Sequence, residues 1–227
     1  MRILVTGLSG YVGRNLAPML AKRGHAIVDT FEREPDALIH LAWEGLPNYE
    51  STNHFENIAW QKEILSKAVR HGIDNITIAG TCLETVPLPP RYAMAKLAVR
   101  ALAFELLPTV KWARLWYVYG KDQPSLCLLP RLLDAKRANQ EEFRVVDGKR
   151  DFINVADVAL ALCFIAEQKK ITGIIDVCSG RAVSVQSFCE RLVGDRPKIV
   201  ADRPAAHYEP YSFNGDNTKL SKIFEHA

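Results

Sequence analysis

A chain of 227 residues is long enough to bury a sizeable core, as one domain or as one domain with a small lobe. Its 48% hydrophobic and 24% charged residues are ordinary for a globular protein and exclude a disordered or fibrous chain. The formal net charge of +3, with no Lys/Arg run dominating any segment, argues against a protein that reads nucleic-acid phosphates through a basic face.

The chain opens on RILVTGLSGYVG, Arg2 to Gly13. Ile3, Leu4 and Val5 form an apolar run without helical period, short enough for a buried strand. Gly7, Gly10 and Gly13 follow at three-residue intervals. The first permits a tight turn, the second lets a pyrophosphate approach the backbone, and the third lets the next helix pack closely. Phosphates would then meet the N–H groups and positive dipole end of that helix. Glycines three apart also occur in ordinary loops; their place between a strand and a helix is what points to nucleotide-cofactor binding.

A helix of about three turns follows from Arg14 to Arg23, ended by Gly24, and Pro18 is expected to kink or break it. His25 to Thr30 reads as the second strand. Phe31 to Pro35 is too short for a crossover helix, and Ala37 to Ala42 is already another buried strand. Either a helix and a strand have been lost, or the link lies across the sheet surface. Helical period returns from Phe55 to His71, with Ile58, Ile64, Leu65, Ala68 and Val69 on one face. A strand at Ile73 to Ala79, a proline-rich loop at Val86 to Pro90 and a helix at Tyr92 to Leu107 come next. Val110 to Tyr117 is a strand, Leu126 to Arg137 a helix, Phe143 to Val146 a short strand and Asn154 to Glu167 a strongly apolar helix. Ile174 to Cys178 reads as a strand, and Ser184 caps a helix to Val193. The tail after Pro197 shows no long period. Strands alternating with helices imply βαβ units, hence an α/β fold with a parallel sheet covered on both faces.

Five cysteines (Cys82, Cys127, Cys163, Cys178, Cys189) are widely spaced and form no Cys-x-x-Cys pair, so reduced thiols are expected, with neither a disulfide frame nor a metal site. Gly7 and Gly10 interrupt any signal-peptide core, and no apolar stretch approaches about 18 residues. A cytoplasmic protein that binds neither membrane nor nucleic acid is the expectation.

Tyr92 and Lys96 stand four apart near the start of a helix, so both project from one face. Thr81 lies just past a strand end, where an open α/β sheet presents its ligand crevice. A tyrosine flanked by an ammonium loses phenol pKa, and a nearby hydroxyl can hold a substrate oxygen. Taken singly, a Tyr-x-x-x-Lys pair is more often a surface stack on an amphipathic helix. Together with the glycine loop, the three residues describe a proton donor beside a carbonyl.

With these motifs in place the chain resembles, over nearly its whole length, the extended short-chain dehydrogenase/reductase family of nucleotide-sugar epimerases, dehydratases and ketoreductases. TGLSGYVG is similar to the family's cofactor loop, LIHLAW to its strand near the nicotinamide ribose, and Tyr92-x-x-x-Lys96 with Thr81 to its catalytic positions. RLWYVYG at Arg114 to Gly120, RDFINVADVA at Arg150 to Ala159 and DNTKL at Asp216 to Leu220 resemble its downstream blocks. The resemblance implies a Rossmann-type doubly wound parallel sheet with a small C-terminal substrate-binding lobe. Residues 1–119 would form the NAD(P)-binding domain and 120–227 mainly the lobe, with 151–178 returning to the sheet. It implies Thr81, Tyr92 and Lys96 as catalytic residues. Gly7, Ser9, Gly10, Tyr11, Val12, Arg33, Leu41, Ala42, Asn57, Tyr92 and Lys96 would hold the cofactor, and Thr81, Cys82, Arg150 and, less securely, Arg203 the substrate. Arg150 would take the sugar-nucleotide diphosphate; read from chemistry alone it could equally be a rim ion-pair residue.

The chain departs from the family in its shortened second-strand region and in the ten residues between Thr81 and Tyr92. Cys82 and Leu83 stand where the sugar 4,6-dehydratases carry an acidic pair, which argues against water elimination. HLAWEGLPNY, His40 to Tyr49, looks most like reductases of nucleotide-linked 4-keto-6-deoxy sugars. The first expectation is therefore NAD(P)H-dependent reduction of such a 4-keto group. A nucleotide-sugar epimerase using the same tyrosine, and a non-catalytic NAD(P)-binding sensor, are the alternatives. Asp29 and Glu32 would favour NAD and Arg33 NADP; the habit of family reductases tips the expectation to NADP. A homodimer through paired helices is compatible with the resemblance.

Overall fold

The computed structural model describes residues 1–225. The first half runs β1 (Arg2–Thr6), α1 (Tyr11–Lys22), β2 (Ala26–Val28), β3 (Ala37–His40), α2 (Glu56–Arg70), β4 (Ile76–Thr81), α3 (Arg91–Leu106) and β5 (Lys111–Leu115). After these come β6 (Tyr117–Tyr119), α4 (Leu128–Arg137), β7 (Glu142–Val146), β8 (Lys149–Asn154), α5 (Val155–Glu167) and β9 (Gly173–Val177). The chain closes through β10 (Ala182–Ser184), α6 (Val185–Val193), β11 (Lys198–Arg203), β12 (Ser212–Phe213) and α7 (Thr218–Glu225).

Six parallel strands form the main sheet in the order β2-β1-β3-β4-β5-β9. Alternate residues of each strand feed opposite faces. Ile3, Val5, Ala37, Ile39, Ala113 and Ile175 pack against α1, α5 and α7, whereas Leu4, Leu38, Ile76, Ile78 and Trp112 pack against α2 and α3. The chain leaves β1 for β2 on one side and returns to β3 on the other. The strand order reverses there, and an open α/β sheet places its ligand crevice at that point.

The link from β2 to β3 carries only a helical turn, Phe31–Arg33, and β2 is the edge strand of the sheet. Phe31 is buried against Leu4 and Leu38, so one aromatic plugs the face that a crossover helix would otherwise cover. Pro18 does not interrupt α1. It is exposed, as is Arg14, whose carbonyl loses its partner to the proline and can be satisfied by water. The stretch read as one strand from Val110 to Tyr117 divides at Trp116. β5 stays in the main sheet, while β6 leaves it to pair with β8.

The lobe consists of the sheet β10-β8-β12 with β6 alongside, the parallel pair β7 and β11, and helices α4 and α6 over a core of Leu132, Phe143, Phe188 and Ile199. Ser184 caps α6, its Oγ accepting from the Ser187 amide at 3.0 Å. The segment that returns to the main sheet comprises α5 and β9. The tail also comes back through α7, whose Leu220 and Ile223 are buried with α5. All five cysteines are free thiols. No described helix is long and apolar enough to cross a membrane.

Candidate active site

The glycine loop divides its work unequally. Gly7 has φ +76°, and a Cβ there would lie 2.7 Å from the Ala42 amide nitrogen. A Cβ on Gly13 would sit 2.2 Å from the Gly7 carbonyl oxygen. Both positions are set by backbone packing against the loop itself and the end of β3. Gly10 meets only the Gly7 oxygen, at 3.2 Å, and so faces the open side. It is the N-cap of α1; no described side chain caps that helix, and the first turn carries no acidic residue. The free amides and positive dipole end suit a pyrophosphate.

Ser9 lies exposed in the loop, its carbonyl held by Arg14 at 2.9 Å, and Val12 packs into the core below. The Tyr11 side chain turns toward the loop at Asp122 and Cys127. Its hydroxyl is buried without a partner among the described residues, and burial pushes the phenol up.

Leu41 and Ala42 close the other wall. The Leu41 amide donates to the Thr6 carbonyl at 3.2 Å, and Gln61 donates to the Ala42 carbonyl at 3.0 Å. Gln61 also accepts from His40 Nε2, and the Thr6 hydroxyl lies 2.5 Å from His40 Nδ1. Burial pushes His40 down to about 4, so the imidazole is neutral and can accept from Thr6 while donating to Gln61. Asn57 grips Glu44 at both backbone groups, with bonds of 3.0 and 3.3 Å. The inner stripe of α2 is therefore Asn57, Gln61, Leu65 and Ala68. Val69, assigned to that face by period alone, is 40% exposed. Arg33 lies on the exposed turn after β2 with Nε 3.6 Å from Asp29 Oδ1, while Glu32 turns away to Lys67.

On the substrate side Thr81, Tyr92 and Lys96 are all buried. The Thr81 amide donates to Glu84 Oε1 at 2.9 Å and its Oγ1 accepts from the Leu83 amide at 3.3 Å, a reciprocal cap that fixes the threonine. Glu84 is wholly buried and is further held by Trp112 at 2.7 Å and by Arg100. Lying three residues past Thr81, it faces inward as a structural carboxylate. Thr81 and Tyr92 come together as expected. Burial holds the Tyr92 phenol well above its ordinary range, with Tyr49, Cys82 and Glu84 adding to the rise and the Thr81 hydroxyl opposing it.

The expected effect of Lys96 on that phenol is absent. Lys96 Nζ donates to the Ala79 carbonyl at 2.8 Å and lies 4.0 Å from the centre of the Trp43 ring. Burial pushes it down to about 7, so its charge is weakened and directed elsewhere.

Sequence period could not reveal the aromatic cage over Tyr92, because its members lie in an aperiodic loop. Trp43, Tyr49 and His54 approach the tyrosine ring at centroid distances of 5.6, 5.5 and 5.3 Å. Trp43 Nε1 donates to His54 Nδ1 at 3.2 Å, and His54 Nε2 donates to the Asn48 carbonyl at 2.6 Å. The Tyr49 carbonyl accepts from the Tyr92 amide at 2.9 Å, tying the loop to the first turn of α3. The glycine at position 45 is required here: φ is +96°, and a Cβ would lie 2.9 Å from His54 Cε1.

Cys82 is buried beside Tyr92 in a cluster with Trp116, Cys178 and Phe213, its thiol pushed up by burial. Arg150 is only 3% exposed and is engaged within the chain: Nη2 pairs with Glu209 at 2.8 Å, and Nη1 donates to three carbonyls. Arg203 is not brought to this cluster. It lies on the exposed end of β11 and lines a separate hollow of about 470 Å³ with Arg131, Asp134 and Arg144. Pairing of β11 with β7 carries it to the outer side of the lobe, which removes it from the substrate residues.

Known proteins of the same build place this site in context. The chain is 26% identical to a dTDP-6-deoxy-L-talose 4-dehydrogenase (NAD(+)) of Aggregatibacter actinomycetemcomitans, across 86% of this chain and 90% of the relative. It is 25% identical to a GDP-6-deoxy-D-mannose reductase of Pseudomonas aeruginosa, across 84% and 79% of the two chains. These relatives are nucleotide-sugar dehydrogenases and reductases of the extended short-chain dehydrogenase/reductase family, which the chain resembles. Two solved structures share its fold. One is RMD from Pseudomonas aeruginosa complexed with NADPH (TM-score 0.83, 22% identity, 98% of this chain and 91% of that one). The other is a UDP-N-acetylglucosamine 4-epimerase from Bacillus cereus (TM-score 0.82, 18% identity, 99% and 93%). No protein-family model matches the chain.

Proposed function

We propose that this protein is an NAD(P)H-dependent reductase of the 4-keto group of a nucleotide-linked 6-deoxyhexose. The observation that carries the reading is the meeting of Thr81 and the buried Tyr92 at the open end of the same sheet that presents Gly10 and the uncapped α1. Relatives that act on dTDP- and GDP-linked 6-deoxy sugars support the substrate class. When bound, the nicotinamide supplies a hydride to the carbonyl carbon.

The chain's own residues manage the oxygen. The Thr81 hydroxyl, fixed by the Leu83 amide, holds it, and Tyr92 gives it a proton, so the ketone becomes a secondary alcohol. Burial keeps the phenol neutral through the physiological range, and the neutral form is the one that can donate. Trp43, Tyr49 and His54 keep water from the phenol. Lys96, held at the Ala79 carbonyl within β4, serves the ribose hydroxyls. In this reading Arg33 meets a 2′-phosphate, which makes NADPH the preferred donor, and Arg150 meets the sugar-nucleotide diphosphate.

Incubation with NADPH and an NDP-4-keto-6-deoxyhexose should consume one cofactor for each alcohol formed. Turnover with only catalytic cofactor would instead establish an epimerase, and no turnover on any such sugar would leave a dinucleotide-binding sensor.

A further inference from the structure

Arg150 divides its donors between two kinds of partner. Nη1 is committed to the carbonyls of Lys149, Pro210 and Tyr211 at 2.8, 3.1 and 3.2 Å. Nη2 pairs with Glu209 Oε2 at 2.8 Å, and the other carboxylate oxygen, Oε1, accepts from the Tyr117 hydroxyl. The guanidinium also lies 5.6 Å from the centre of the Tyr117 ring. Glu209 belongs to the segment 204–211 that joins β11 to β12, folded by a turn in which its amide donates to the Ala206 carbonyl at 2.8 Å. Tyr208, next to it, packs against the cluster that contains Cys82 and Tyr92. One short strap therefore both borders the catalytic tyrosine and supplies the anion held by Arg150.

We infer that Glu209 is an internal occupant of the substrate's anion subsite and sets its specificity by having to be displaced. This deepens the reading that the substrate carries a diphosphate. A guanidinium N–H and a phenol O–H converging on one carboxylate form a donor set equally suited to phosphate oxygens. The ion pair is largely sheltered, with side-chain exposures of 3% for Arg150 and 15% for Glu209. A diphosphate entering beside the carboxylate would set like charges together where solvent screens them poorly, so the two anions cannot share the site. The Nη1 bond to the Lys149 carbonyl lies outside the strap, so it still holds Arg150 when Glu209 leaves. A neutral ligand gains too little from one guanidinium edge to expel Glu209, whereas a diphosphate brings several charged acceptors.

Glu209→Gln keeps the shape and weakens the internal competitor from an ion pair to a hydrogen bond with an uncharged acceptor. Calorimetric titration with dTDP and with GDP should show about tenfold tighter binding to the variant than to the wild type, the difference between those two classes of bond. The affinity for NADPH should be unchanged. Equal or weaker nucleotide binding by the variant overturns the inference and leaves the proposed reaction standing. A wild type that binds neither nucleotide and reduces no nucleotide-linked ketone overturns both. If the variant does not fold, amide exchange on the wild type decides: saturating nucleoside diphosphate should speed exchange at residues 206–211 and NADPH alone should not. Unchanged or slower exchange there overturns the displacement.

Discussion

Lys96 offers a direct test of the proposed cofactor site. Burial holds its amine at about 7 instead of the ordinary 10.5, despite the Ala79 carbonyl and the Trp43 ring beside it. At pH 8 about nine-tenths of the molecules then carry a neutral amine, and at pH 6 about one-tenth. Ribose hydroxyls and a pyrophosphate nearby favour the ammonium, so binding should draw in about 0.9 proton at pH 8 and about 0.1 at pH 6. Calorimetric titration with NADPH in phosphate and in Tris buffers measures this number directly. Lys96→Met should abolish the uptake and weaken binding. Neither His40, pushed down to about 4, nor Tyr92, held above its ordinary range, titrates near pH 8 to mimic it. The same shift affects stability. The folded value lies below the unfolded one, so the unfolded chain binds more protons between pH 7 and 10. Stability from this residue therefore rises with pH across that window, by up to about 1.4 kcal/mol per unit. Wild-type protein that takes up no proton at pH 8, or a methionine variant that still does, would refute the reasoning.

Gly10→Val should abolish NAD(P)H binding while leaving thermal unfolding nearly unchanged, because the side chain would fill the open side of the loop. Gly13→Ala should instead lower stability, since its Cβ would sit 2.2 Å from the Gly7 carbonyl oxygen; calorimetry and melting curves on the pair separate the two roles. Arg33→Ala should raise KM for NADPH and spare KM for NADH, and equal effects on both would remove the 2′-phosphate assignment.

The parts of this molecule legible in sequence are those whose signal is local. The glycine spacing, the strand before it, the Ser184 cap and the Tyr92–Lys96 spacing all follow from neighbouring residues, and each element forms where the pattern places it. Long-range contacts escaped. Nothing near Arg150 in the chain announces that Glu209, 59 positions away, will pair with it. The polar stripe of Asn57 and Gln61 runs against the rule that the inner face of a helix is apolar, because its task is to hold the backbone of residues 42 to 44. The tail read as irregular contains β11, β12 and α7, whose short lengths and flanking prolines hide their periods. The spacing puts Lys96 on the face of Tyr92, yet its partner is a strand carbonyl that no spacing rule identifies.

The central claim is that the Tyr92 phenol gives the proton that completes carbonyl reduction. Tyr92→Phe removes one oxygen and keeps the ring that packs against Trp43, Tyr49 and His54. Single-turnover reduction of an NDP-4-keto-6-deoxyhexose by NADPH should slow by roughly 10² to 10⁴ in this variant, the usual worth of a positioned acid. The Kd for NADPH should stay within about twofold of the wild type. A phenylalanine variant that reduces the keto sugar at the wild-type rate would contradict the account.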